Sequence, residues 1–138
     1  MTLTDAALTA VGPDPVTLAR VVTAIVFVGI GITHFVPAIM RPMAAMIPRV
    51  FHGRPFSPLA WVWVTGVAEI AGGIGLLWEP TRAAAAIGLV VLLVGVFPAN
   101  AYAARHREQF GVIAVPFWPR LAMQVVLIGL VLWVGLFG

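Results

Sequence analysis

The stretch PLAWVWVTGVAEIAGGIGLLW, residues 58–78, decides how the rest of the chain is read. It is 21 residues long, and about 20 mostly apolar residues suffice for a helix to cross the roughly 30 Å hydrocarbon core of a bilayer. Its one charged residue is Glu69, close to the middle. A charge at the bilayer centre costs roughly 2.5 to 3.5 kcal/mol on insertion scales, so an acid kept there marks a candidate functional site.

Working outward, three further stretches have the same character: Val16 to Val36, Arg82 to Ala104 and Phe117 to Phe137. They fit the whole composition. Only 9% of the 138 residues are charged, 62% are hydrophobic and the mean hydropathy is +1.07, against roughly 25% charged in soluble domains. The expected fold is an all-α integral membrane protein, an antiparallel bundle of four transmembrane helices forming a single domain over residues 16–138. Residues 1–15, with Gly12-Pro13-Asp14-Pro15 at their end, are expected to be a short mobile tail. That tail has Asp5 and Asp14 but no basic residue, so the first span reads as retained rather than as a cleaved signal.

Between the first and second spans, residues 37–57 mix Arg41, Arg49 and Arg54 with Met40, Met43, Met46, Ile47 and Phe51. This segment is too short and too basic to cross. A turn or two of amphipathic helix over Ala38 to Met46 is expected to lie at the membrane interface. Only Glu79, Pro80 and Thr81 separate the second and third spans, which makes them antiparallel neighbours.

The eight arginines divide unevenly. Arg41, Arg49, Arg54, Arg105, Arg107 and Arg120 fall on one side, Arg20 and Arg82 on the other. The positive-inside bias then puts the two Arg-rich loops in the cytoplasm of a cell bounded by this inner, or plasma, membrane, and both termini outside. Eight cations are too few and too dispersed for a nucleic-acid surface. Cysteine and lysine are absent, which removes disulfides, thiolate sites and Schiff-base chemistry. His34, His52 and His106 match no haem-attachment spacing, and no metal site, hydrolase triad or nucleotide motif is present.

The large polar side chains expected inside the bilayer are His34, Glu69, Asn100, Tyr102 and Gln124. Counting about 1.5 Å per residue, Asn100 and Gln124 lie roughly 6 to 10 Å from the cytoplasmic end of their spans, Glu69 about 16 Å, and His34 nearer still to its end. This agreement in depth points to one polar pocket in the cytoplasmic half. Helix faces point the same way: Arg20, Thr23, Phe27, Gly31 and His34 share one stripe, Trp61, Thr65, Glu69, Gly72 and Gly73 another. Phe97 goes with Asn100, and Arg120 with Gln124. The expected ligand-binding residues are therefore His34, Glu69, Asn100 and Gln124, with Phe27, Trp61 and Phe97 as the apolar wall. A plainer reading has Glu69 paired with His34 or Arg20 to hold the bundle, Asn100 and Gln124 as interhelical glue, the tryptophans and Tyr102 as interfacial anchors, and Gly66, Gly72, Gly73, Gly75, Gly88 and Gly95 as points of close helix approach.

The blocks that carry these residues resemble the DoxX-like family of small four-helix bacterial membrane proteins. They are Gly31-Ile32-Thr33-His34-Phe35 followed by Pro37, the run Thr65 to Leu77, Phe97-Pro98-Ala99-Asn100-Ala101-Tyr102, and Trp118-Pro119-Arg120-Leu121-Ala122-Met123-Gln124. The resemblance implies the four-helix fold and an association with membrane redox systems, such as an accessory subunit of a quinone-linked oxidoreductase. A distantly similar animal protein is the nicotinic-receptor assembly chaperone NACHO. Two functions follow as expectations: a pocket for a quinone or other isoprenoid-type lipid, with no intrinsic cofactor, or a non-catalytic assembly protein gripping another membrane protein, a redox enzyme or a second copy of itself.

Overall fold

The computed structural model describes residues 12–137, so most of the expected tail, up to Val11, lies outside the described residues. Six helices follow one another: α1 (Pro15–Thr33), α2 (Pro37–Ala45), α3 (Pro58–Leu77), α4 (Glu79–Arg105), α5 (Arg107–Phe110) and α6 (Phe117–Leu136). No strand occurs among the described residues. Helices α1, α3, α4 and α6 are long and apolar enough to cross a membrane. The chain is an all-α membrane bundle.

Proline sets the start of these helices, because the first turn leaves amides unpaired anyway and the fixed φ of the ring suits it. Pro15 opens α1, where the Asp14 carboxylate accepts from the backbone amides of Val16 and Thr17, both at 3.0 Å. Pro58 opens α3, capped by Ser57 Oγ accepting from the Ala60 amide at 3.2 Å. The third span is longer than its apolar core suggests, running from Glu79 to Arg105 rather than from Arg82 to Ala104. Pro80 and the acidic Glu79 both favour a helix N-terminus, which leaves Trp78 as the link to α3.

The first span stops at Thr33, three residues short of Val36. Pro37 holds Val36 extended, at φ −83° and ψ 117°, and then begins α2. The chain thus turns at His34 and lays α2 across the end of the bundle, where Trp63 Nε1 lies 2.8 Å from Met40 Sδ. The amphipathic segment forms where it is expected, within a residue at each end.

The long helices form a ring in which α1 packs on α3, α3 on α4 and α4 on α6, with a lighter contact from α6 back to α1. Towards the chain termini the ring is dry and tight. Phe27, Leu76, Ala86, Leu89, Leu93, Val131 and Val134 form one buried cluster. A Cβ added at Gly135 would overlap Ala86 Cβ, and one at Gly73 would come 2.9 Å from the Ala24 carbonyl. Arg20 Nε donates to the Val134 carbonyl at 3.0 Å, joining α1 to α6. The outward faces, with Ile25, Val91 and Val126 exposed, are apolar surfaces suited to lipid.

Candidate functional site

The other half of the ring is built around a crossing of two glycines. A Cβ at Gly31 would lie 2.8 Å from the Gly66 carbonyl, and one at Gly66 would lie 2.7 Å from His34 Cβ and 3.0 Å from the Gly31 carbonyl. Helices α1 and α3 can therefore touch backbone to backbone. His34, at the C-cap of α1, is carried over α3 and is 3% exposed. The buried face of α1, with Arg20, Thr23, Phe27 and Gly31, continues into this turn.

His34 Nδ1 is 3.0 Å from the Val62 carbonyl and 3.2 Å from Thr65 Oγ1, which itself donates to Val62 at 2.9 Å. A carbonyl only accepts, so Nδ1 carries the hydrogen. Nε2 is then protonated only in the cationic ring. It lies 3.3 Å from Glu69 Oε2, and Glu69 is 8% exposed. The approach is not aligned for a hydrogen bond, and Glu69 Oε2 is buried without a hydrogen-bond partner. Arg120, which shares a cavity wall with the His34–Glu69 pair, also acts electrostatically on the Glu69 carboxylate.

Beside this pair opens a cavity of about 470 Å³, within the range of small-molecule sites. Its polar wall is His34, Thr65, Glu69, Asn100 and Arg120. Its apolar wall includes Trp61, Val62 and Val64 of α3 and Val91, Gly95, Val96 and Ala99 of α4; Met43, Met46, Ile47 and Phe51 cover the end. Val64 and Val91 are also exposed on the outer surface, so the cavity reaches the lipid-facing side between α3 and α4. Asn100 Nδ2 and Arg120 Nε are buried without a hydrogen-bond partner, as is Glu69 Oε2. The three side chains that carry these atoms all line one mostly apolar cavity.

Four of the expected residues meet here, His34, Glu69, Asn100 and Trp61; three do not. Gln124 is turned to α4, where its Nε2 donates to the Leu93 carbonyl. It is glue between helices, next to the Val94 carbonyl for which Pro98, inside α4, has no N–H. Phe27 is 2% exposed and sits in the tight cluster instead. Phe97 stacks edge-on with Phe117, ring centroids 5.9 Å apart, closing α4 on α6. Phe27 lies too far along its stripe, which spans both halves of the ring, while Gln124 and Phe97 are turned towards the contact of α4 with α6. Gly88 and Gly95 also depart from expectation, since a Cβ at either meets nothing within 4 Å.

Arg120 is the residue that counting by sides conceals. At the mouth of the fourth span it reads as an orienting charge, but its partnership with Gln124 on one face was the available signal that it points inward. The methionines of α2 and its loop were legible as an amphipathic segment and not as a cover. Among the described residues no group of three or more His, Cys, Asp or Glu side chains is placed to hold a metal ion.

No curated protein and no solved structure matches the chain. A family model matches residues 23–135, which takes in the glycine crossing, the cavity and nearly all of the bundle. The chain belongs to that family, described as a domain of unknown function, DUF8561.

Proposed function

We propose that this protein binds a lipid-soluble molecule with an oxygen-bearing head, a quinone or other isoprenoid-type lipid, in the cavity between α3 and α4. The observation that carries the reading is the set of polar side chains, Glu69, Asn100 and Arg120, that line an otherwise apolar cavity, each with a buried atom that lacks a hydrogen-bond partner. Each costs about 1 to 3 kcal/mol while unsatisfied; an oxygen-bearing head would accept from Asn100 and Arg120 and meet Glu69 through a hydroxyl or a protonated carboxyl. The exposed Val64 and Val91 give a tail a way out into lipid. In this reading the His34–Glu69 pair donates or takes one proton at the head, Asn100 and Arg120 orient it, and Trp61 packs against it. Any redox chemistry would belong to the ligand and an external partner. The resemblance to DoxX-like proteins supports a place beside a membrane redox enzyme. The arginine distribution supports a plasma-membrane orientation with α2 and the cavity on the cytoplasmic side and both termini outside.

Lipid extraction and mass spectrometry of the protein purified in mild detergent tests this. The wild-type chain is expected to retain a stoichiometric isoprenoid, which Glu69→Gln and His34→Ala lose while remaining folded and monodisperse. Glu69→Leu is expected to fold as well, since an apolar residue at that depth avoids the cost of a buried acid. Equal lipid content in all of them would sink the proposal, and loss of a co-purifying membrane protein in its place would favour an assembly role.

A further inference from the structure

The exposed charges of the bundle are divided between its two ends. No acidic residue occurs between Asp14 and Glu69, and Glu69 is buried, so the segment joining α1 to α3 carries Arg41, Arg49 and Arg54 with no acid of its own. All three are exposed. Among the described residues no ion pair or side-chain hydrogen bond engages any of them. At the same end Arg105 and Arg107 are exposed beside Glu108. The opposite end presents the exposed acids Asp14 and Glu79, and its arginines are withdrawn: Arg20 is buried against the Val134 carbonyl and Arg82 is half-buried.

Apolar side chains stand out beside the three free arginines. Val50 is 82% exposed, and Ile39, Phe51 and Phe56 are exposed as well. The segment is nonetheless held in shape. His52 Nε2 donates to the Ile47 carbonyl at 2.8 Å, Trp61 Nε1 donates to the Phe51 carbonyl at 3.2 Å, and the Phe56 ring meets Trp61 edge-on with centroids 4.9 Å apart. Gly53, at φ 108°, lets the chain turn between Arg49 and Arg54. A folded platform that mixes guanidinium groups with bare apolar ones, at the end of a membrane-crossing bundle, suits the layer where lipid phosphates meet acyl chains.

From this we infer that the outer face of the segment from Arg41 to Phe56 is a docking site for acidic phospholipids. Arg41, Arg49 and Arg54 bind the phosphate, for which the planar guanidinium fork is the matching donor, and Val50 with Phe56 enters the acyl boundary. A second copy of the chain is a poor occupant, because it would set arginine against arginine. The inner face of the same segment, with Met43, Met46, Ile47 and Phe51, covers the cavity, so a lipid docked outside lies against that cover. The site is separate from the cavity and does not depend on what the cavity holds.

The test is native mass spectrometry of the full-length protein in neutral detergent, titrated with phosphatidylglycerol and phosphatidylcholine of identical acyl chains. Each arginine near an anionic lipid surface contributes a factor of about five, so phosphatidylglycerol is expected to bind about tenfold tighter or more. Arg41→Gln, Arg49→Gln and Arg54→Gln combined are expected to remove the preference, and Arg105→Gln with Arg107→Gln to keep most of it. Val50→Ser is expected to weaken both lipids alike, since it removes apolar contact and no charge. Equal binding of the two lipids by the wild type overturns the inference. Equal loss of preference in the two sets of arginine variants overturns the site in favour of the diffuse charge of that end. Competition by glycerol 3-phosphate at comparable concentration overturns it in favour of a soluble phosphate, and competition by polyglutamate in favour of an acidic polypeptide. The wild-type comparison decides the matter even where a variant does not fold, and isoprenoid retention by the cavity is read separately.

Discussion

The two halves of this bundle use the same helices for opposite ends. Towards the termini, Gly73 and Gly135 bring helix backbones together and every large side chain in the cluster is apolar. Under α2, the crossing of Gly31 with Gly66 does a different job: it swings His34 over α3 and leaves a space beside it. Close packing in lipid comes from small residues because lipid and side chains are equally apolar, so contact area alone decides. A cavity persists where no neighbour stands opposite the small residue, as at Gly95 in its wall, while Gly88 lies on an exposed face of α4. The lesson is that glycine marks a close approach only when another helix stands opposite it.

The sharpest way to break this contrast is a paired substitution. Gly135→Leu forces a side chain into Ala86 and is expected to destabilise by about 1 to 3 kcal/mol or more through overpacking. Gly95→Ala, which meets nothing within 4 Å, is expected to stay within about 0.5 kcal/mol of wild type. Thermal unfolding in detergent measures both, and similar losses for the two would erase the distinction between the halves. Gln124→Leu is a finer probe. Its amide bonds α4 and does not line the cavity, so it should cost about 0.6 kcal/mol, the average for interhelical bonds of this kind, with lipid retention unchanged. Lipid loss on Gln124→Leu would return that residue to the site.

The smallest effect belongs to the outer edge of the terminal half. Asp14 is exposed, and its hydrogen bonds from the Thr17 hydroxyl and then the Thr17 amide hold its carboxyl below the ordinary 3.8. A carboxyl with a lowered folded value stabilises the folded state fully above 3.8, and that contribution is lost as the pH falls through the lower value. Hydrogen-exchange protection at the Val16 and Thr17 amides, taken relative to the intrinsic rate at each pH, should therefore fall on acidification in the wild type. In Asp14→Ala it should be low throughout, and the wild-type pH profile in that variant would show that the cap contributes nothing.

Much of this architecture could be read from composition and pattern because a bilayer imposes strict terms. Every backbone polar group must be satisfied within a helix, so length and apolarity of a stretch almost fix its structure. Glu69 was legible for the related reason that an acid at such depth is expensive, and His34 through the stripe it shares with Gly31 and Phe27. Helix ends were less legible: His34 caps α1 because Pro37 acts back through Val36, a local effect that hydropathy does not register.

The order of residues by itself determined the four spans, the amphipathic α2 and the presence of polar groups at matching depth. Tertiary structure alone decided which of those groups share a space. Depth along a helix follows from a fixed rise per residue, but the direction a side chain faces depends on how each helix is rotated against its neighbours. That rotation places Arg120 in the cavity wall and turns Gln124 to the Leu93 carbonyl.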